Sequence, residues 1–107
     1  MNKFWKESDI LSTSRDYKDY ILEELSLLDN ITCKSMMGEY LLYYNGLLFG
    51  GIYDDILRVK IVDNNKKYNM KESIPYDGAK AMYLVSDVDD MELLKNIVLD
   101  TCKGLNN

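Results

Sequence analysis

The sequence predicts a single α+β domain, and three observations carry that expectation. The chain has 107 residues, the usual size of one domain, enough for one hydrophobic core and too few for two. Between Glu39 and Val62, short apolar runs are separated by the turn pairs Asn45-Gly46 and Asp54-Asp55, the pattern of a three-stranded antiparallel meander. On both sides of that block, apolar residues recur at three- and four-residue spacing, as on amphipathic helices. Hydrophobic residues at 47% and charged residues at 29% suit a folded chain rather than a disordered one.

Met1–Leu11 mixes Phe4, Trp5, Ile10 and Leu11 with charges and keeps no period, so residues 1–14 read as an N-terminal strap, with Trp5 pinning it to the core. The domain proper is expected over 15–105. Ser12, Thr13 and Ser14 offer N-cap hydroxyls, and Asp16 follows Thr13 at capping-box distance. The helix they open, Arg15–Leu28, carries Tyr17, Ile21, Leu25 and Leu28 on one face and stops at Asp29-Asn30. Ile31–Met37 is an expected strand broken by Gly38.

In the meander, Asn45-Gly46 tolerates the two positive φ angles of a type I′ turn. A two-residue turn sets Tyr44 opposite Leu47, Leu42 opposite Phe49 and Tyr40 opposite Gly51. Tyr53-Asp54-Asp55-Ile56 makes the second reversal, returning Ile56–Val62 along Leu47–Tyr53. Gly50-Gly51 in the middle strand predicts a sharp curl under a helix. Asp63-Asn64-Asn65 caps a short helix running to about Met70, Pro75-Tyr76-Asp77-Gly78 is a turn, and Lys80–Ser86 is a further strand. Asp87, Asp89 and Asp90 then precede a helix whose stripe is Met91, Leu94, Val98 and Cys102, widened by Leu93 and Ile97 and stopped at Gly104.

Composition excludes several function classes. With 13 Lys plus Arg against 18 Asp plus Glu, the net charge is −5 and the basic residues are scattered, which argues against direct nucleic-acid binding and against anionic membranes. No apolar run reaches the length of a spanning helix, and the N-terminus lacks a signal-peptide core, so a cytoplasmic protein is expected. Cys33 and Cys102 form no C-x-x-C pair and read as buried thiols. There is no histidine, hence no commonest general base or nitrogen ligand, and no Gly-rich phosphate loop. Catalytic, cofactor and metal residues are therefore expected to be absent. Asp54-Asp55 and the Asp87, Asp89, Asp90 group are accounted for by a turn and a helix start.

From Lys34-Ser35-Met36-Met37-Gly38-Glu39-Tyr40 through Leu42-Tyr43-Tyr44-Asn45-Gly46 and Phe49-Gly50-Gly51-Ile52-Tyr53-Asp54-Asp55 to Val59-Lys60, the chain resembles the N-terminal domain of the TfoX/Sxy family. Further matches are Tyr17–Leu28 before this block and Pro75–Lys80 with Met82 and Val85–Asp90 after it. Lys34 stands where that family usually has an arginine, and Met37 where many members have phenylalanine. The resemblance, to the stand-alone single-domain members, implies a two-layer fold with an antiparallel sheet, similar to the secretion-chaperone-like fold. The sheet would hold the three-stranded meander plus one or two further strands, with helices packed on it. It also implies a role related to the control of competence for DNA uptake.

The functional expectation is a non-enzymatic, cytosolic regulatory module that binds a protein, a transcription factor or a second copy of itself, through the open sheet face or the meander edge. The candidate partner-binding residues are Lys34, Tyr40, Tyr44, Tyr53 and Lys60, because tyrosine buries much area at little entropic cost. The alternative is a small-ligand or metal-dependent enzyme built on Asp54, Asp55 and Lys60.

Overall fold

The computed structural model describes residues 13–106; of the expected strap, residues 1–12, with Trp5 and the cap candidate Ser12, lie outside them. Ser14 is the N-cap of α1 (Arg15–Glu24), its hydroxyl accepting from the Tyr17 N–H at 3.1 Å. The helix ends four residues before the expected stop, and Leu25–Leu27 continue as a turn. Thr13 is buried and has a different task. Its hydroxyl donates to the Glu39 carboxylate at 2.8 Å, lies 3.1 Å from the Ile52 carbonyl and accepts from the Asp55 N–H at 3.1 Å. The Ser14 N–H donates to Asp55 Oδ1 at 2.9 Å, so the start of α1 is tied to the end of the meander.

Four strands follow in direct succession: β1 (Ile31–Met36), β2 (Glu39–Tyr44), β3 (Leu47–Tyr53) and β4 (Ile56–Val59). The meander is thus longer than expected by one strand. Gly38 does not merely interrupt the first strand: Met37 (φ 51) and Gly38 (φ 88) form a two-residue turn that pairs Met36 with Glu39. Asn45 (φ 50) with Gly46 (φ 80), and Asp54 (φ 56) with Asp55 (φ 57), make the two expected turns in the same doubly left-handed conformation.

The first meander register holds only near its turn. Tyr44 faces Leu47, but a bulge between Leu42 and Tyr43 sets Leu42 opposite Gly50 and Tyr40 opposite Ile52. Phe49 is the extra residue, and its carbonyl turns to the Lys60 N–H at 2.8 Å. The two glycines permit this crossing. A Cβ on Gly50 would lie 2.1 Å from the Arg58 carbonyl oxygen, and one on Gly51 2.6 Å from that of Tyr40.

After β4 come a 3-10 helix (Asp63–Tyr68), β5 (Lys71–Ser73), β6 (Met82–Leu84) and α2 (Met91–Leu105). The described residues form one six-stranded antiparallel sheet in the order β1-β2-β3-β4-β6-β5. Both helices cover one face, and the buried core of Ile21, Leu42, Phe49, Ile52, Leu57, Leu94 and Ile97 lies between. This is an α+β domain. Asp90 caps α2 by accepting from the Leu93 N–H at 3.0 Å. Gly104 does not stop that helix, which runs on to Leu105; it allows contact with Val62, whose Cβ would lie 2.6 Å from an added methyl.

Asn65 is completely buried and fully used. Its side chain accepts from the Val62 N–H (3.2 Å) and donates to the Lys60 carbonyl and to Thr101 Oγ1, both at 2.8 Å. Thr101 passes its proton to the Ile97 carbonyl at 2.7 Å. The 3-10 helix is thereby fixed between the end of β4 and α2.

Candidate functional site

Strand pairing assigns each residue to a face, because cross-strand partners share one and alternation sends neighbours to opposite sides. Tyr40, Leu42 and Tyr44 look toward the helices, and Lys18 of α1 lies 5.5 Å above the Tyr40 ring. Glu39, Leu41 and Tyr43 look the other way. The paired row Lys34, Leu41, Gly51, Arg58, Leu84 and Lys71 crosses all six strands on this helix-free face, and three of its members are cations. The five residues singled out from the sequence are therefore not one surface. Lys34, Tyr53 and Lys60 share the helix-free face, whereas Tyr40 and Tyr44 border the core.

On the helix-free face the segment from Pro75 to Met82 stands as a wall beside the strands and encloses a groove of about 600 Å³. Leu41, Leu48 and Tyr53 form its floor, Tyr76 and Met82 its wall, and Met36 the far rim. Tyr76 seats the wall, its ring centroid 6.0 Å from that of Tyr53. Tyr53 is consequently only 7% exposed, and burial raises its hydroxyl pKa.

Arg58 is the buried cation of this face, 7% exposed. Its Nη1 donates to the Tyr53 carbonyl at 2.9 Å and its Nε to Ser73 Oγ at 3.0 Å, joining β4 to both the β3 end and β5. Burial lowers its pKa, and the Asp54 and Glu39 carboxylates oppose that shift. At the same end of the sheet, the β1–β2 turn presents Met37, 96% exposed, next to Met36 at 43%.

No known family model matches the chain, and no curated protein matches it significantly.

The grouping of Asp54, Asp55 and Lys60 does not form. The two aspartates make the turn before β4, and Lys60 follows the strand's other end, about 17–20 Å away at the rise of an extended chain. Asp55 is engaged with the Ser14 N–H. Among the described residues, no three Cys, Asp or Glu side chains are grouped to hold a metal ion, and no helix is long and apolar enough to cross a membrane. Cys102 is buried and Cys33 half-buried; burial raises the pKa of both thiols, with Lys18 opposing the shift at Cys33.

Sequence reasoning missed Tyr43, Leu41 and Leu48, because Glu39–Tyr44 is apolar at nearly every position and alternation alone cannot say which parity faces the helices. The one available signal was glycine: a Cβ-free Gly51 beside Tyr53 marks the face on which an aromatic ring lies across the sheet.

Proposed function

We propose that this chain is a non-enzymatic cytoplasmic regulatory module that binds a protein partner, a transcription factor or a second copy of the chain, through the helix-free face and the tip of its first hairpin. The observation that carries the reading is Met37. A long apolar side chain there is 96% exposed on left-handed backbone (φ 51), a conformation that costs a non-glycine residue about 1 kcal/mol. Asparagine or glycine would serve the turn better, so the methionine is accounted for by what it touches in a complex. Lys34, on the same strand and face as Met36, supplies an exposed charge beside the tip. The resemblance to TfoX/Sxy proteins suggests the control of DNA uptake as the setting.

The test is affinity capture from the native host with mass spectrometry, comparing the parent chain with Met37→Asn and Lys34→Glu. Met37→Asn should leave stability unchanged or raise it by about 0.5–1 kcal/mol, while recovery of the partner, or of the dimer by light scattering, falls at least tenfold. Equal recovery with all three chains would sink the reading.

A further inference from the structure

We infer that the groove between the sheet and the Pro75–Met82 segment binds an amphipathic organic anion, an apolar chain or ring body ending in a carboxylate. The inference goes beyond the partner-binding reading and does not depend on it. The chain has 18 acidic and 13 basic residues, yet among the described residues no Asp or Glu lines this groove, and the charged side chains that do are Lys60 and Lys80. Among the described residues neither lysine is paired with a carboxylate. Local charge is thus the reverse of the chain's own.

Both cations belong to the same end of the groove. Lys60 follows Val59 and Met82 precedes Tyr83, the last pair of the antiparallel β4–β6 ladder, and Lys80 comes two residues before Met82. Met36, Tyr53 and Tyr76 are at the other end, near the Asp54-Asp55 turn. Lys60 projects from a fixed backbone, its N–H bonded to the Phe49 carbonyl and its own carbonyl held by Asn65. A ligand would lie with its carboxylate between the ammonium groups and its body over Leu41 and Tyr53.

Other occupants fit less well. A neutral apolar molecule would strip water from the ammonium groups without replacing it, and a cation would be repelled. A peptide would bring N–H groups over strands whose own backbone groups are spent on one another. The volume suits a small ligand, since such pockets commonly run about 300–1,000 Å³.

The experiment is a titration with decanoate below its micelle concentration, read by calorimetry and by methyl NMR of the full chain, with decanol and decyltrimethylammonium as neutral and cationic probes. Decanoate should saturate, moving the methyl signals of Met36, Leu41 and Met82, and should bind at least tenfold more tightly than the cation. The double variant Lys60→Gln, Lys80→Gln should lose about tenfold for decanoate and nothing for decanol, with an unchanged melting temperature, because both side chains lie outside the core. Equal binding of anion and cation, undiminished decanoate affinity in the double variant, or signals confined to the helix side would overturn the assignment. None of these outcomes touches the partner reading, which stands or falls with Met37→Asn.

Discussion

The two faces of the sheet are built from the same strands and do opposite things. Leu41 and Leu42 are neighbours in β2, yet Leu42 has no exposed surface and is packed under the helices, whereas Leu41 floors an open groove. One face spends its apolar area on stability, and the other keeps it available. Their charges differ in the same way. Buried polar groups on the helix side, such as Asn65 and Thr101, have their partners inside the fold, while the helix-free face carries Lys34, Lys60 and Lys71.

The sharpest test compares those two leucines by urea unfolding. Leu42→Ala should cost about 3–4 kcal/mol through lost transfer energy and a cavity, and Leu41→Ala less than about 1.5 kcal/mol because solvent already reaches it. Comparable losses would break the distinction between the faces. A smaller effect probes the polar side of the covered layer. Asn65→Ala strands the Val62 N–H and the Lys60 carbonyl and should cost about 2–3 kcal/mol, with Lys60 losing part of its anchorage.

The smallest effect is a pH dependence at the outer edge of that layer. Tyr68 donates to Asp100 Oδ2 at 2.5 Å, and Lys67 lies 3.1 Å from the same oxygen. Burial, followed by the Asp100 hydrogen bond, raises Tyr68 from 10.0 to about 12. Its stabilisation is complete below pH 10 and disappears as pH rises toward 12. Asp100 is lowered from 3.8, chiefly by the Tyr68 hydroxyl, so its contribution is present above that value and disappears as pH falls through the folded value. Tyr68→Phe should flatten both the alkaline and the acid edge in part, as read by melting temperature against pH, because Tyr53 and the two thiols are also raised by burial and keep their share of the alkaline loss.

Local chemistry made most of the fold legible. Turn pairs, caps and helical spacing located both helices, the 3-10 segment and the meander, because each depends on a few adjacent residues. What failed depended on distance. The bulge at Phe49 sits beside Gly50, where the strand passes too close to the Arg58 backbone for a side chain, and no window of β3 reveals that contact. Strand β5, Lys-Glu-Ser, has no strand-like composition and is held only by its ladder with β6. Gly104 has the look of a helix stop but answers to Val62, more than forty positions earlier. At the site, Lys34, Tyr53 and Lys60 lie on the helix-free face, whereas Tyr40 and Tyr44 lie on the opposite one, a division the sequence does not show because nothing local fixes the parity of β2.

The succession of two-residue turns has a kinetic consequence. Strands β1 to β4 each close on their neighbour across the shortest loop a chain can make, whereas Val59 meets Tyr83 only after the 3-10 helix, β5 and the Pro75–Gly78 turn have been gathered in. Loop closure of that length is entropically costly, so the meander should pair early and β6 late. Hydrogen exchange in the native state should then find the Tyr76–Leu84 amides opening at lower free energy than those of β2 and β3. The groove would be the last part of the molecule to assemble and the first to come apart, able to admit or release a ligand while the hairpins behind it stay folded.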